Sequence, residues 1–259
     1  MEKVIDGMKA VFMTDRGRIR QHNEDNGGVF LNMSGQKIAI VADGMGGHRA
    51  GDVASHLTIM KLKEKWEETN RIQSAEQAEK WLRENIKLVN LDVFQHAQNH
   101  LECEGMGTTI VAVILTELFS TIAHIGDSRC YILNESGFSQ ITEDHSLVNE
   151  LVRTGQISKE DAENHPRKNV LTRALGTEVF VDMDIKTIVF EEGDFLLLCS
   201  DGLSNKVHEH EMASTLKSEK TIEDKAAALI DLANEYGGED NISLVIIEYY
   251  QDSIPGDAQ

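Results

Sequence analysis

Val41-Ala42-Asp43-Gly44-Met45-Gly46-Gly47-His48 continues a short apolar run, Ile38-Ala39-Ile40-Val41. The run predicts a buried strand that ends on the Asp43 carboxylate. Glycines at 44, 46 and 47 open backbone conformations that other residues resist, and Gly51-Asp52-Val53-Ala54-Ser55 reads as a helix start. A carboxylate at such a strand end can present an oxygen ligand in a cleft. Gly and Asp are also ordinary turn residues, so a purely structural reading of the stretch stands until the rest of the chain decides.

Upstream, residues 8–14 and 27–33 read as strands, joined by a loop dense in charge. That loop carries Arg16, Arg18, Arg20, Glu24 and Asp25. Arginine suits bidentate contact with phosphate, and the two acids are hard oxygen donors. A solvated, salt-bridged turn is the plainer alternative. Downstream, helical patterns cover 51–68 and 74–100, the second with the cap-like start Ser74-Ala75-Glu76-Gln77. His96 and His100, one turn apart, read as a surface pair, because a metal site needs further ligands. Strands follow at 107–115, 119–125 and 130–133, the last two joined by Gly126-Asp127-Ser128-Arg129. Residues 145–169 are locally more basic and look like an insertion, with short helices at 147–153 and 158–163. The run Phe195-Leu196-Leu197-Leu198-Cys199 then leads into Ser200-Asp201-Gly202, repeating the theme of an apolar strand followed by Asp-Gly. An amphipathic helix at 221–236 stops at Gly237-Gly238, Glu239-Asp240-Asn241 follows, and 242–250 is the last strand. Residues 251–259 read as a frayed tail.

The 259 residues, 41% of them hydrophobic, suffice for one large domain, and no linker or repeat divides them. With 25 basic and 44 acidic residues the formal charge is −19, which argues against nucleic acid and anionic membrane as partners. It leaves a phosphate substrate open, since bound divalent cations reverse the local field. Cys103, Cys130 and Cys199 are few and widely spaced, as expected of reduced cytoplasmic thiols. The start of the chain is too polar for a signal peptide, and no apolar run is long enough to span a bilayer, so a cytoplasmic location is expected.

Asp43, Asp127, Asp201 and Asp240 share one context: each flanks an apolar strand next to Gly or Asn. Carboxylates are seldom placed there unless they are paired or bind metal. Four of them without adjacent cations argue for divalent metal, and an all-oxygen donor set selects Mg²⁺ or Mn²⁺ over Zn²⁺. Two such ions about 3.5–4 Å apart are a common device for hydrolysing phosphate esters.

The ordered motifs Asp15-x-Gly17-x-x-Arg20-x-x-Asn23-Glu24-Asp25, Asp43-Gly44-Met45-Gly46-Gly47-His48, Gly107-Thr108-Thr109, Gly126-Asp127-Ser128-Arg129, Leu171-Thr172-Arg173-Ala174-Leu175-Gly176, Ser200-Asp201-Gly202-Leu203 and Gly238-Glu239-Asp240-Asn241 carry a family resemblance. In this order they resemble the metal-dependent type 2C protein serine/threonine phosphatases (the PPM family), close to the single-domain Gram-positive enzymes that oppose PASTA-domain kinases. The resemblance implies an α+β fold, a four-layer αββα sandwich of two antiparallel sheets flanked by helices. It implies one domain over residues 1–250, with a flap at about 145–169 beside the site. It further implies hydrolysis of phosphoserine and phosphothreonine esters by a metal-activated water, with two to three Mn²⁺ or Mg²⁺ ions per chain. Asp43 would bridge two ions and the Gly44 carbonyl would ligate one of them. Asp201 and Asp240 would complete the other, and Glu24 and Asp25 would act through waters. Asp127 with Asp201 resembles a third-metal site, and Arg20 would hold the phosphate. The implied partners are phosphorylated proteins, among them a cognate kinase, and the implied state is a monomer. Met45 stands where many eukaryotic relatives carry a histidine proposed as general acid, so His48 and a water become the candidates for that role.

Rival chemistries fit less well. The arginine that a cysteine phosphatase needs a short loop beyond its nucleophile is replaced here by Thr109, Ser136 or Asn205. Asp182-Met183-Asp184-Ile185-Lys186 ends in lysine where an aspartyl-phosphate enzyme needs Thr or Val, and no phosphate-binding Walker loop occurs. A non-enzymatic binding protein on the same fold would be expected to have lost one of Arg20, Asp43, Asp201 or Asp240.

Overall fold

The computed structural model describes residues 7–47, 50–163 and 165–250. His48 and the tail 251–259 lie outside the described residues. In chain order the elements are β1 (Met8–Asp15), β2 (Asp25–Leu31), β3 (Lys37–Met45), α1 (Ala50–Glu67), α2 (Ala75–Asn99), β4 (Gly107–Thr108), β5 (Ile110–Leu115), β6 (Ser120–Ile125), β7 (Arg129–Asn134) and β8 (Gly137–Gln140). They continue with α3 (Leu147–Arg153), α4 (Lys159–Glu163), β9 (Asp184–Ile188), β10 (Phe195–Cys199), α5 (Asp201–Ser204), α6 (Glu209–Lys217), α7 (Ile222–Glu235) and β11 (Ile242–Tyr249).

The strands form two antiparallel sheets, ordered β1-β11-β10-β7-β8 and β2-β3-β5-β6-β9. Strands buried on both faces read as near-continuous apolar runs, and β5 (Ile-Val-Ala-Val-Ile-Leu) is buried at every position. One face of each sheet meets the other sheet: Ala39, Val41, Val111 and Val113 pack with Leu196, Leu198, Val245 and Ile247. The outer face of the second sheet is covered by α1 and α2 through Leu62, Trp66, Leu82 and Ile86. The outer face of the first is covered by α6 and α7 through Met212, Leu216, Ala226 and Leu229. The order of layers is therefore helix, sheet, sheet, helix, as the resemblance implies. Ser74 caps α2 by accepting the Gln77 amide, which explains why the helix begins at residue 75.

Three local expectations change. β3 does not stop at Asp43; it runs to Met45, because Gly44 and Met45 pair with Thr108 and Gly107 of β4. The strand expected over 107–115 is split at Thr109, whose hydroxyl turns to accept the Asp43 amide at 2.9 Å. β2 begins at Asp25 rather than residue 27, and this brings Asp25 directly opposite Asp43. Among the described residues no helix is long and apolar enough to cross a membrane.

Candidate metal centre

The carboxylates singled out in the sequence gather where the ends of strands from both sheets meet. Asp25 and Asp43 are cross-strand partners, so their side chains leave the sheet on one face, about 5 Å apart at Cβ. Like charges placed this way repel. Asp201 starts the short helix α5 after β10, and Asp240 directly precedes the Asn241 that leads into β11. Asp127 sits in the connection between β6 and β7.

The backbone holds these acids tightly. The Asp43 carbonyl accepts the Thr109 amide and the Thr108 hydroxyl, both at 2.8 Å. Thr109 Oγ1 also lies 2.6 Å from Ser128 Oγ, tying the Asp43 strand to the loop of Asp127. Glycine is required at two contacts. A Cβ on Gly44 would overlap the Gly51 carbonyl, and one on Gly51 would stand 2.7 Å from the Gly44 oxygen, so α1 packs backbone to backbone on β3. A Cβ on Gly202 would likewise overlap the Asn241 carbonyl. The glycine after Asp43 is thus explained by helix packing as well as by any ligand role of its carbonyl.

The electrostatics show a concentration of negative charge. Burial pushes the Asp43 carboxyl well above the usual range, and Asp25, Asp201, Asp127 and Asp240 push it further. Asp25, 7% exposed, is raised to about 7 by burial, against the pull of hydrogen bonds from Ser200 and Ser243. Ser200 Oγ donates to Asp25 Oδ2 at 2.7 Å, whereas Asp25 Oδ1 is buried without a partner. Burial also raises Asp127 to about 7, with Asp201 adding to it, and raises Asp201, with Asp240 adding to it.

Two cations stand near, and both are engaged. Arg129 donates to Asp144 through Nε and Nη2, the shortest contact being 2.7 Å. Arg20 Nη2 donates to Asp240 Oδ2 at 2.8 Å; burial works against its charge, and Asp240 more than offsets that. Asp240 Oδ1 accepts the Asn241 amide at 2.9 Å. Among the described residues no three His, Cys, Asp or Glu side chains are already drawn into a group that could hold an ion. The donor chemistry nonetheless fits a hard divalent cation: oxygen ligands only, one orphaned buried carboxylate oxygen, and excess negative charge with no free counter-ion among the described residues.

The fold gathers Asp25, Asp43, Asp127, Asp201, Asp240 and Arg20, all singled out in the sequence, into one cluster, and Glu24 lies beside them with its carbonyl accepting Gly44 N and Ser55 Oγ. Asn241, which closes the Gly238-Glu239-Asp240-Asn241 motif, is a residue whose role only the fold reveals. Its Oδ1 accepts Glu24 N at 2.8 Å, while its Nδ2 donates to the carbonyls of Arg16 and His22 at 2.8 and 2.9 Å. It fastens both sides of the Arg20 loop. The signal available in the sequence was an amide following an acid at the entry to an apolar strand.

Comparison with known proteins agrees with this geometry. Residues 16–240 match the family model described as Protein phosphatase 2C. The serine/threonine phosphatase stp of Listeria monocytogenes is 55% identical over 241 residues, covering 93% of this chain and 96% of that protein. The crystal structure of serine/threonine phosphatase Stp1 from Staphylococcus aureus superposes with a TM-score of 0.90 at 42% identity, covering 96% of this chain and 97% of that one. The catalytic domain of the phosphatase PstP, crystallised with two manganese ions, superposes with a TM-score of 0.80 at 31% identity, covering 95% and 99%. With fold, motif order and full-length similarity in agreement, this chain belongs to the protein phosphatase 2C family.

Proposed function

We propose that the chain is a metal-dependent hydrolase of phosphoserine and phosphothreonine monoesters in proteins, working on substrates of a cognate serine/threonine kinase in the cytoplasm. The observation that carries this reading is the concentration of Asp25, Asp43, Asp127, Asp201 and Asp240 at one place, where burial, and then the repulsion of neighbouring acids, pushes the protonation of Asp25, Asp43, Asp127 and Asp201 upward. Divalent cations, Mn²⁺ or Mg²⁺, would neutralise that charge and supply an activated water and a Lewis acid for the phosphoryl oxygens. Asp43, the Gly44 carbonyl, Asp201 and Asp240 would hold two ions, Asp127 with Asp201 a third, and Glu24 and Asp25 would act through waters. The two ions of PstP support a count of at least two.

The chain's own residues have separable tasks. Arg20, half-exposed at the rim, is placed to bind phosphate oxygens once a cation relieves Asp240 of its ion pair. Asn241 keeps the Arg20 loop in register. Burial holds the metal-free Asp25 carboxyl up to about 7, so a bound cation would take its ionised form and release a proton. His48 is the proposed proton donor to the leaving seryl or threonyl oxygen. Residues 1–250 would act as one domain with the segment 145–169 as a flap beside the cleft, and the protein would work as a monomer.

The test is hydrolysis of p-nitrophenyl phosphate and of a phosphothreonine peptide with Mn²⁺, with Mg²⁺ and with EDTA. Turnover of both substrates that needs a divalent ion is the expected result. Full activity in EDTA would overturn the metal mechanism, and no turnover with any divalent ion would favour a binding protein on the same fold.

A further inference from the structure

Asp127 stands in the short connection Gly126-Asp127-Ser128 between β6 and β7, and its two neighbours are held by different parts of the chain. On the far side, Ser128 Oγ lies 2.6 Å from Thr109 Oγ1, and Arg129 beyond it is paired with Asp144. On the near side, both backbone polar groups of Gly126 go to one residue, His145. The Gly126 amide donates to His145 Nδ1 at 3.1 Å, and the His145 amide donates to the Gly126 carbonyl at 2.7 Å. The place of Asp127 is therefore set by Thr109 on one side and by His145 on the other.

A backbone N–H only donates, so Nδ1 is the acceptor and the hydrogen of the neutral His145 ring sits on Nε2. Asp184 fixes that choice. Its Oδ2 lies 3.1 Å from Nε2 and takes the hydrogen, while its Oδ1 accepts Arg173 Nη1 at 3.0 Å. Arg173 Nη1 also stands 3.2 Å from Nε2, and a guanidinium only donates. Without Asp184 the arginine would favour the other tautomer, whose Nδ1 hydrogen opposes the Gly126 amide. A carboxylate on one ring nitrogen is the usual way to set what the other nitrogen does. Burial keeps the His145 ring below the usual histidine range, although Asp184 pulls the other way. The His124 ring, 1% exposed and driven down to about 3 chiefly by burial, is neutral too and backs the His145 ring at 4.6 Å between centroids.

We propose that His145 is a positioning residue for Asp127: through the Gly126 amide, and in the tautomer that Asp184 selects, it sets the turn that presents the Asp127 carboxylate to a cation. This rests on the reading that Asp127 with Asp201 holds a third ion. It also ties that ion to both ends of the flap. The His145 carbonyl accepts Thr172 N at 2.8 Å, and the next residue, Ser146, caps α3 by accepting the Asn149 amide.

The test is a titration of the metal-free full chain with Mn²⁺, the free ion being read by electron paramagnetic resonance, beside ¹⁵N NMR of the His145 ring in diamagnetic Mg²⁺. The wild-type ring should carry its hydrogen on Nε2. His145→Leu removes the acceptor and should weaken the weakest-bound Mn²⁺ by about tenfold, with the tighter ions within about twofold of wild type. His145→Asn returns an acceptor oxygen to the place of Nδ1 and should restore that affinity, which a merely space-filling role would not do. Asp184→Ala changes a side chain that is more than half exposed, so it serves if His145→Leu does not fold. It should move the ring hydrogen to Nδ1 and weaken the same ion. Asp127→Ala is the reference: if it binds Mn²⁺ as the wild type does, the third-ion reading fails and the proposal with it. Loss of the ion in Asp127→Ala, with wild-type affinity in folded His145→Leu, would overturn the proposal alone. So would Asp184→Ala with tautomer and affinity unchanged, or His145→Asn as weak as His145→Leu.

Discussion

Two regions bury titratable groups only three residues apart on the chain, and they do so in opposite senses. His124, near the end of β6, is a buried base driven neutral. Asp127, just past the same strand, is one of four clustered acids whose protonation is driven upward. In both places burial is the largest cause, because a low-dielectric setting penalises whichever form is charged. The difference lies in the neighbours. The histidine edge is balanced by Asp184 and Arg173, which pair with each other and with His145. Among the described residues the carboxylate cluster is not balanced: Arg129 is tied to Asp144, and Arg20 is paired with Asp240. One region can stay as it is; the other calls for positive charge from outside the chain.

The strongest way to break this comparison is to remove one acid. Asp201→Asn should lower Mn²⁺-dependent turnover by about 10³-fold or more, measured as kcat on a phosphothreonine peptide. The same change should raise the melting temperature of the metal-free protein, since it deletes a repelling charge, whereas in Mn²⁺ the wild type should melt higher. A lower metal-free melting temperature for the variant would mean that the cluster is not repulsive. Arg20→Ala should cost about 10–100-fold in kcat/KM, mainly through KM, which is about 1.4–2.8 kcal/mol.

A third test uses pH. Asp25 and Asp127 hold their protons to about pH 7, whereas the unfolded carboxyl loses its proton near the ordinary value. The native metal-free state therefore binds more protons than the unfolded one over roughly pH 4–7, and these two acids lower its stability as pH rises through that window. A cation binds the ionised form, so Mn²⁺ affinity should strengthen from pH 6 to 8 with release of protons. Calorimetry in buffers of different ionisation enthalpy reads that release directly; affinity independent of pH would contradict the assignment. The smallest effect belongs to the balanced edge. Asp184→Asn should cost about 1 kcal/mol or less, because the Asp184 side chain is more than half exposed. Its mark should be faster amide exchange at Thr172 and Leu147, with kcat on p-nitrophenyl phosphate within about twofold of wild type.

Much of this architecture could be read from local pattern. The apolar runs of β3, β5 and β10 and the amphipathic α2 and α7 are strong short-range signals, and the Asp-Gly pairs mark where strands deliver an acid. What could not be read was set by pairing between distant segments. Asp25 reads from the sequence as an oxygen donor in a charged loop, but its register directly opposite Asp43, which sets the two carboxylates side by side, is visible only in the fold. The continuation of β3 through Gly44 depends on β4, more than sixty residues later. His124, His145, Arg173 and Asp184 are scattered over four segments, with no spacing to announce that they touch. The short edge strand β8 and the helix α6 passed unmarked, because neither carries a long periodic pattern.

At Asn241 a single nitrogen decides whether the phosphate loop is held. Its amide nitrogen donates to two carbonyl oxygens, those of Arg16 and His22. Replacing that amide by a carboxylate, as in Asn241→Asp, exchanges NH₂ for oxygen and adds one more acid beside Asp240. Two donations would become two repulsions, and the loop that carries Arg20 would come away from the strand it is fastened to. An Asn241→Asp variant should therefore bind phosphate more weakly than the wild type.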